Sequence, residues 1–167
     1  EYYTAIPLGG IRARIVLSGD ARVDSILSLD GRKDGAWSNP REAGKFRVIW
    51  TPRWTRNGNF SHFSDYRNKF LELCDADPEI DFIARPHPLT FIDRVGIGEM
   101  TEQDVEEYKN AHRVRPNAFL DEGPAYQETF AASDVLVTDM SSIFNEYAAT
   151  GKPVIYCHRN DYFNDYT

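Results

Sequence analysis

Cysteine is scarce: Cys74 and Cys157 are the two in 167 residues, and they fit no metal-binding spacing. Cys74 falls on a helical apolar stripe and Cys157 ends an apolar run, so both read as small core residues of a protein kept in a reducing compartment. Long apolar runs are missing too. None exceeds five residues, which excludes a bilayer-spanning helix. There is no Walker glycine pattern and no Gly-x-Gly-x-x-Gly, which argues against a P-loop NTPase or a dinucleotide-binding fold. No Asp-x-Asp pair ends a predicted strand, and no His, Cys and carboxylate residues share a metal-ligand spacing. Neither a dedicated metal site nor a cofactor is expected. Positive charge is in deficit, with 19 Lys and Arg against 26 Asp and Glu, a net charge of −7. That excludes nucleic-acid binding by bulk charge. An initiator Met and a signal peptide are also lacking, so the sequence reads as a fragment of a longer protein.

What is present is a globular composition, 41% hydrophobic and 27% charged, with too many aromatics (13%) for a disordered chain. The charge is uneven. Residues 1–60 carry ten Lys and Arg against six Asp and Glu, and the rest carries nine against twenty. An anionic ligand would therefore draw its arginines from the first third or from loops.

From residue 46 onward, strand and helix patterns alternate. Strands are expected at 46–50, 80–84, 117–120, 135–137 and 153–156, each short and densely apolar. Helices are expected from Ser61 to about Asp75, with Phe63, Tyr66, Phe70, Leu73 and Cys74 as the buried stripe, and from Thr101, which opens a capping box, to about His112. Two more are expected from Pro124 to Ala132, and from the turn at 139–142 to Thr150, with Gly151 as the stop. Residues 85–100, containing Gly96 and Gly98, read as a loop. The pattern implies an α/β fold: a Rossmann-like parallel sheet with helices on both faces. Residues 1–45 are less regular, with a strand at 14–17, a short helix at 21–29 and a loop at 31–44. They read as a linker from a preceding domain, and 46–167 as the ligand-binding domain.

In open parallel sheets, ligands bind beyond the carboxyl ends of the strands. Four unusual turns fall there: Thr51-Pro52-Arg53-Trp54, Arg85-Pro86-His87-Pro88, Asp121-Glu122-Gly123 and Asp139-Met140-Ser141-Ser142. The last begins a helix whose first amides lack internal partners, and the serines add hydroxyls, so a phosphate or pyrophosphate suits Asp139, Ser141 and Ser142. Plain helix capping by Asp139 or Ser141 would use the same residues. Arg53 and Arg85 can grip phosphate bidentately or pair with carboxylates. His87, held between prolines, can donate to a phosphate oxygen or act as an acid, or serve a structural turn. Glu146, one turn beyond Ser142, can accept from sugar or polyol hydroxyls or be a solvated helix carboxylate. No role is assigned to His62, His112 or His158.

The block Ser133-Asp134-Val135-Leu136-Val137-Thr138-Asp139-Met140-Ser141-Ser142-Ile143-Phe144-Asn145-Glu146-Tyr147-Ala148-Ala149-Thr150-Gly151-Lys152-Pro153-Val154-Ile155-Tyr156 resembles the signature of the CDP-glycerol glycerophosphotransferases, the teichoic-acid primases and polymerases. The Thr51-Pro52-Arg53-Trp54 strand end, the His87-Pro88 pair and the Gly19–Asp24 stretch agree in order. The resemblance implies the C-terminal, nucleotide-donor half of a GT-B fold. It implies transfer of glycerol phosphate from CDP-glycerol to a hydroxyl of a membrane-linked acceptor, with release of CMP. Ser141 and Ser142 would then hold the donor phosphates, His87 would touch the transferring phosphate, and Arg53 would lie nearby. The acceptor would be held by the missing N-terminal domain, and the whole protein would be cytoplasmic, peripheral on the inner face of the membrane. Met140, Glu146 and Ala21 stand where the family commonly has Tyr, Asp and Pro, which leaves CDP-ribitol or a nucleotide sugar open as donor. A non-catalytic α/β binding module is the alternative of another class.

Overall fold

A computed structural model describes residues 19–29, 35–37, 44–54 and 60–159. The strand expected at 14–17 and most of the loop expected at 31–44 lie outside the described residues. The elements run α1 (Ala21–Leu27), β1 (Phe46–Thr51), α2 (Phe63–Ala76), β2 (Ile80–Ala84), α3 (Thr90–Gly96), α4 (Glu102–Arg113), β3 (Ala118–Leu120), α5 (Gln127–Ala132), β4 (Val135–Thr138), α6 (Ile143–Ala148) and β5 (Val154–Tyr156). All strand pairs are parallel, in the order β3-β2-β1-β4-β5. Strand order reverses between β1 and β4, and the crevice outside that reversal is where this class of sheet takes ligands.

The strands are apolar on both sides because both faces are covered. Val48, Trp50, Phe82 and Ala84 point to one layer, where Phe63, Leu71, Phe91 and Tyr108 of α2, α3 and α4 meet them. Ile49, Ile83 and Leu136 point to the other, against Ile26, Phe130 and Tyr147 of α1, α5 and α6. Period-two alternation along β1 thus feeds two cores. Trp50 is fully buried and stacks against Phe63, with ring centroids 5.8 Å apart. Trp50→Ala would remove the centre of the first core at a cost of about 3–5 kcal/mol. Helix α1 sits within the segment expected to be a linker, yet Ile26 and Trp37 are buried in the second core.

Local chemistry explains where several elements begin and end. Thr101 and Asp104 form the expected capping box at the start of α4. Gly151 follows α6 with a φ of +73°, a left-handed stop suited to glycine. At Gly35 the chain passes so close to α5 that a Cβ would lie 2.3 Å from the Thr129 nitrogen.

Four expectations need correction. The 85–100 segment contains helix α3, whose Thr90, Phe91 and Arg94 are buried at helical spacing. Helix α5 starts at Gln127 rather than Pro124, because Arg85 holds residues 121–125 as an extended loop through the carbonyls of Gly123 and Ala125. Helix α6 ends at Ala148, with Ala149 as its cap. On α2 the buried face carries Leu71, while Leu73 is 38% exposed. Leu71 shares the Phe63–Cys74 side of the helix and Leu73 is rotated away from it.

Candidate functional site

The four turns singled out in the sequence do meet. Together with Phe91, Tyr126 and Ile143 they line a cavity of about 610 Å³ beyond the carboxyl ends of β1, β2, β3 and β4. That volume suits a nucleotide-sized ligand. Hydroxyls lock the two central strand ends: Thr51 Oγ1 donates to Thr138 Oγ1 at 2.8 Å, and Thr138 Oγ1 donates to the Thr51 carbonyl at 3.0 Å.

Residues Met140 to Ile143 of the turn after β4 line this cavity. Among the described residues, no acceptor meets the amides of Ser141, Ser142 and Ile143, while Phe144 and Asn145 bond back to the Ser141 and Ser142 carbonyls. Ser141 and Ser142 both line the cavity. Asp139 does not. Its side chain is buried, and its carboxylate takes N–H bonds from the Arg53 amide (2.8 Å) and the His62 amide (3.1 Å), with His62 Nδ1 at 2.6 Å. A saturated, inward-facing carboxylate shapes the turn rather than touching an anion. Arg53 lines the cavity, and its Nη1 donates to the Met140 carbonyl at 2.9 Å, so the exits of β1 and β4 are tied twice.

On the β2 side, Arg85 lines the cavity and also organises it. Its guanidinium pairs with the Asp121 carboxylate, donates to the carbonyls of Gly123 (2.8 Å) and Ala125 (3.3 Å), and lies 5.4 Å from the Tyr126 ring centroid. His87 is exposed at the rim, and its Nδ1 accepts the Leu89 amide hydrogen at 3.2 Å. In the neutral ring the proton is therefore on Nε2, which is the nitrogen left to donate. The imidazole stacks on Trp54 at 5.2 Å and 21°, and the Trp54 indole N–H donates to the Asp93 carboxylate of α3.

Glu146 is not at the cavity surface. It is buried beneath it, accepting the Tyr126 hydroxyl and pairing with Arg22 Nη1 at 2.9 Å. Burial, reinforced by the bond to Glu146, pushes the Tyr126 phenol up to about 12.

Sequence reasoning missed three contributors: His62, Trp54 and Tyr126. His62, Asp139 and Cys157 bring their ligand-type atoms within 4.8 Å of one another. The carboxylate takes three N–H contacts, from the Arg53 amide and from the amide and ring of His62, and burial pushes the Cys157 thiol up to about 11. His62 and Asp139 form a hydrogen-bonded pair beside the Cys157 thiol. Spacing could not have revealed it, because strand order alone brings positions 62, 139 and 157 together. Trp54 had a signal, since it ends one of the four rim turns.

The chain is 24% identical over 154 residues to the minor teichoic acid biosynthesis protein GgaB of Bacillus subtilis (strain 168), covering 87% of this chain and 16% of GgaB. A solved structure of the wall teichoic acid polymerase TagF superposes with a TM-score of 0.52 at 17% identity, covering 87% of this chain and 30% of that one. A variant of the same polymerase gives 0.50 at 17% identity, over 87% and 31%. These superpositions show a shared α/β fold, and the chain spans less than a third of the length of any of the three. The sequence profile of one family matches residues 9–166, nearly the whole chain. This chain belongs to the CDP-glycerol:poly(glycerophosphate) glycerophosphotransferase family.

Proposed function

We propose that this chain, from residue 46 on, is the donor-binding domain of a transferase. That enzyme moves glycerol phosphate from CDP-glycerol to a hydroxyl of a membrane-linked cell-wall polymer. The observation that carries this reading is the cavity at the β1/β4 reversal, lined by Arg53, Arg85 and His87 and by residues 141–143, whose amides meet no acceptor among the described residues.

Backbone N–H groups that need no rearrangement are good ligands for a diphosphate, and the Ser141 and Ser142 hydroxyls add donors. Arg53 is held close by the Asp139 bond to its amide, and supplies positive charge. The acceptor oxygen attacks the phosphorus bearing the glycerol, in line with the bridging oxygen to CMP. One P–O bond forms, the P–O bond to the bridging oxygen breaks, and CMP leaves with that electron pair. The acceptor's proton passes to a general base on the acceptor side. His87 donates from Nε2 to a non-bridging oxygen of the transferred phosphate, steadying the charge that builds there.

Two sequence assignments change in this reading. Asp139 and Glu146 leave the list of donor contacts and become residues that position the turn and the wall. No helix of the described residues is long and apolar enough to cross a membrane. The acceptor is reached by other parts of the enzyme, working at the inner face of the membrane.

Calorimetry with this chain tests the reading. CDP-glycerol should bind, CMP more weakly, and UDP-N-acetylglucosamine least. Tighter binding of the UDP-sugar would favour a nucleotide-sugar glycosyltransferase, and no binding of any nucleotide would favour a non-catalytic module.

A further inference from the structure

Glu146 is a buried charge that the proposed reaction does not use. It is 4% exposed, sits on α6 beneath the cavity wall, and contacts two other elements. On one side its Oε2 accepts the Tyr126 hydroxyl, just before α5. On the other its Oε1 lies 2.9 Å from Nη1 of Arg22, in helix α1. Arg22 is itself oriented by Asp20, through a 3.1 Å bond from its Nη2. The Tyr126 ring in turn carries the Arg85 guanidinium, 5.4 Å from its centroid. Arg85 holds the 121–125 loop and lines the cavity.

We propose that Glu146 is a positioning residue that links the docking of helix α1 to the donor cavity, through Arg22 on one side and Tyr126 and Arg85 on the other. A buried carboxylate is stable only when its oxygens are met. Here one oxygen is met by the wall of the cavity and the other by a helix outside it. If α1 lifts away, Glu146 loses its cation and draws the Tyr126 hydroxyl out of place, and Arg85 loses the ring on which it rests. Donor affinity therefore depends on whether α1 is seated. Ile26, buried in the core beneath α1, gives the helix a defined seat. The link rests on the donor-binding reading above for its consequence, but not for its existence.

The test uses the 167-residue chain with Arg22→Ala, Arg22→Lys and Tyr126→Phe, each checked to be folded. The first readout is the ¹⁵N resonances of the Arg85 guanidinium without ligand, and the second is the CDP-glycerol dissociation constant. Arg22 is mostly exposed, so a merely structural role would alter melting temperature and leave both readouts alone. The expected result is Arg85 signals that become averaged in Arg22→Ala and Tyr126→Phe, with affinity weakened about 3- to 10-fold. Arg22→Lys should recover most of the loss. The Arg22→Ala/Tyr126→Phe double variant should be no weaker than the worse single, since both cut one chain of contacts. Unchanged Arg85 signals in both single variants, or strictly additive losses, would overturn the link. If the unaltered chain binds no CDP-glycerol, the donor reading falls, and the link then stands or falls on the Arg85 signals alone.

Discussion

Replacing Asp139 probes the joint between the two central strand ends. In Asp139→Ala three N–H groups lose their acceptor: the Arg53 amide, the His62 amide and the His62 ring nitrogen. An orphaned buried donor costs about 1–3 kcal/mol. His62 and Asp139 are deeply buried, while Arg53 borders the cavity and can recruit water. The loss should be about 4 kcal/mol, a large share of the roughly 5–15 kcal/mol that stabilises a domain. Asp139→Asn keeps the shape and one acceptor oxygen, so it should lose about 2 kcal/mol. With a urea slope near 2 kcal/mol/M, the unfolding midpoints should fall by about 2 M and about 1 M respectively. The folded Asn variant should bind CDP-glycerol within about twofold of the unaltered chain, because the oxygen it keeps can still accept the Arg53 and His62 amides. An Ala variant whose midpoint stays within about 0.3 M of the unaltered chain would refute the joint.

Two further outcomes concern stability. His112 is buried against Phe82 and Tyr108, and burial pushes it down to about 4. The fold keeps it neutral, so its contribution is complete above the unfolded value near 6.5, and is lost as pH falls towards 4. That acid loss should approach about 3 kcal/mol, and His112→Phe should flatten it in urea unfolding at pH 7.5, 6 and 4.5. An equal gap between the two proteins at all three pH values would contradict this. Lys152 sends its Nζ to the carbonyls of Phe130 (3.1 Å), Ala131 (2.6 Å) and Ser133 (2.7 Å), capping the end of α5. Lys152→Met should cost about 2 kcal/mol in the same unfolding experiment, and a neutral result would show that water replaces the ammonium freely.

The sheet was legible because β1, β2 and β4 are short, dense apolar runs, the mark of strands covered on both faces. The rim was legible because unusual turns recur at the carboxyl ends of β1, β2, β3 and β4. Helix α3 was hidden by Gly96 and Gly98, which end it rather than abolish it. The start of α5 was misplaced because Pro124 is a good first helical residue, but Arg85, remote in sequence, holds the loop open beyond it. Glu146 lies away from where its spacing suggests, for a related reason. Its four-residue spacing from Ser142 suggests a shared face, yet Ser142 only caps this six-residue helix, and the Glu146 side chain turns towards α1 and Tyr126. His62 and Cys157 carry no local cue, since their meeting with Asp139 is made by the sheet.

The most direct measurement of the donor-site claim is a titration of the ¹⁵N-labelled chain with CDP-glycerol, followed amide by amide. The expected result is saturable shifts at Ser141, Ser142 and Ile143, with Arg53 and His87 moving in step. Saturable shifts confined to another face, such as the groove beside Lys109 and Arg115, with the 141–143 amides unmoved, would contradict it.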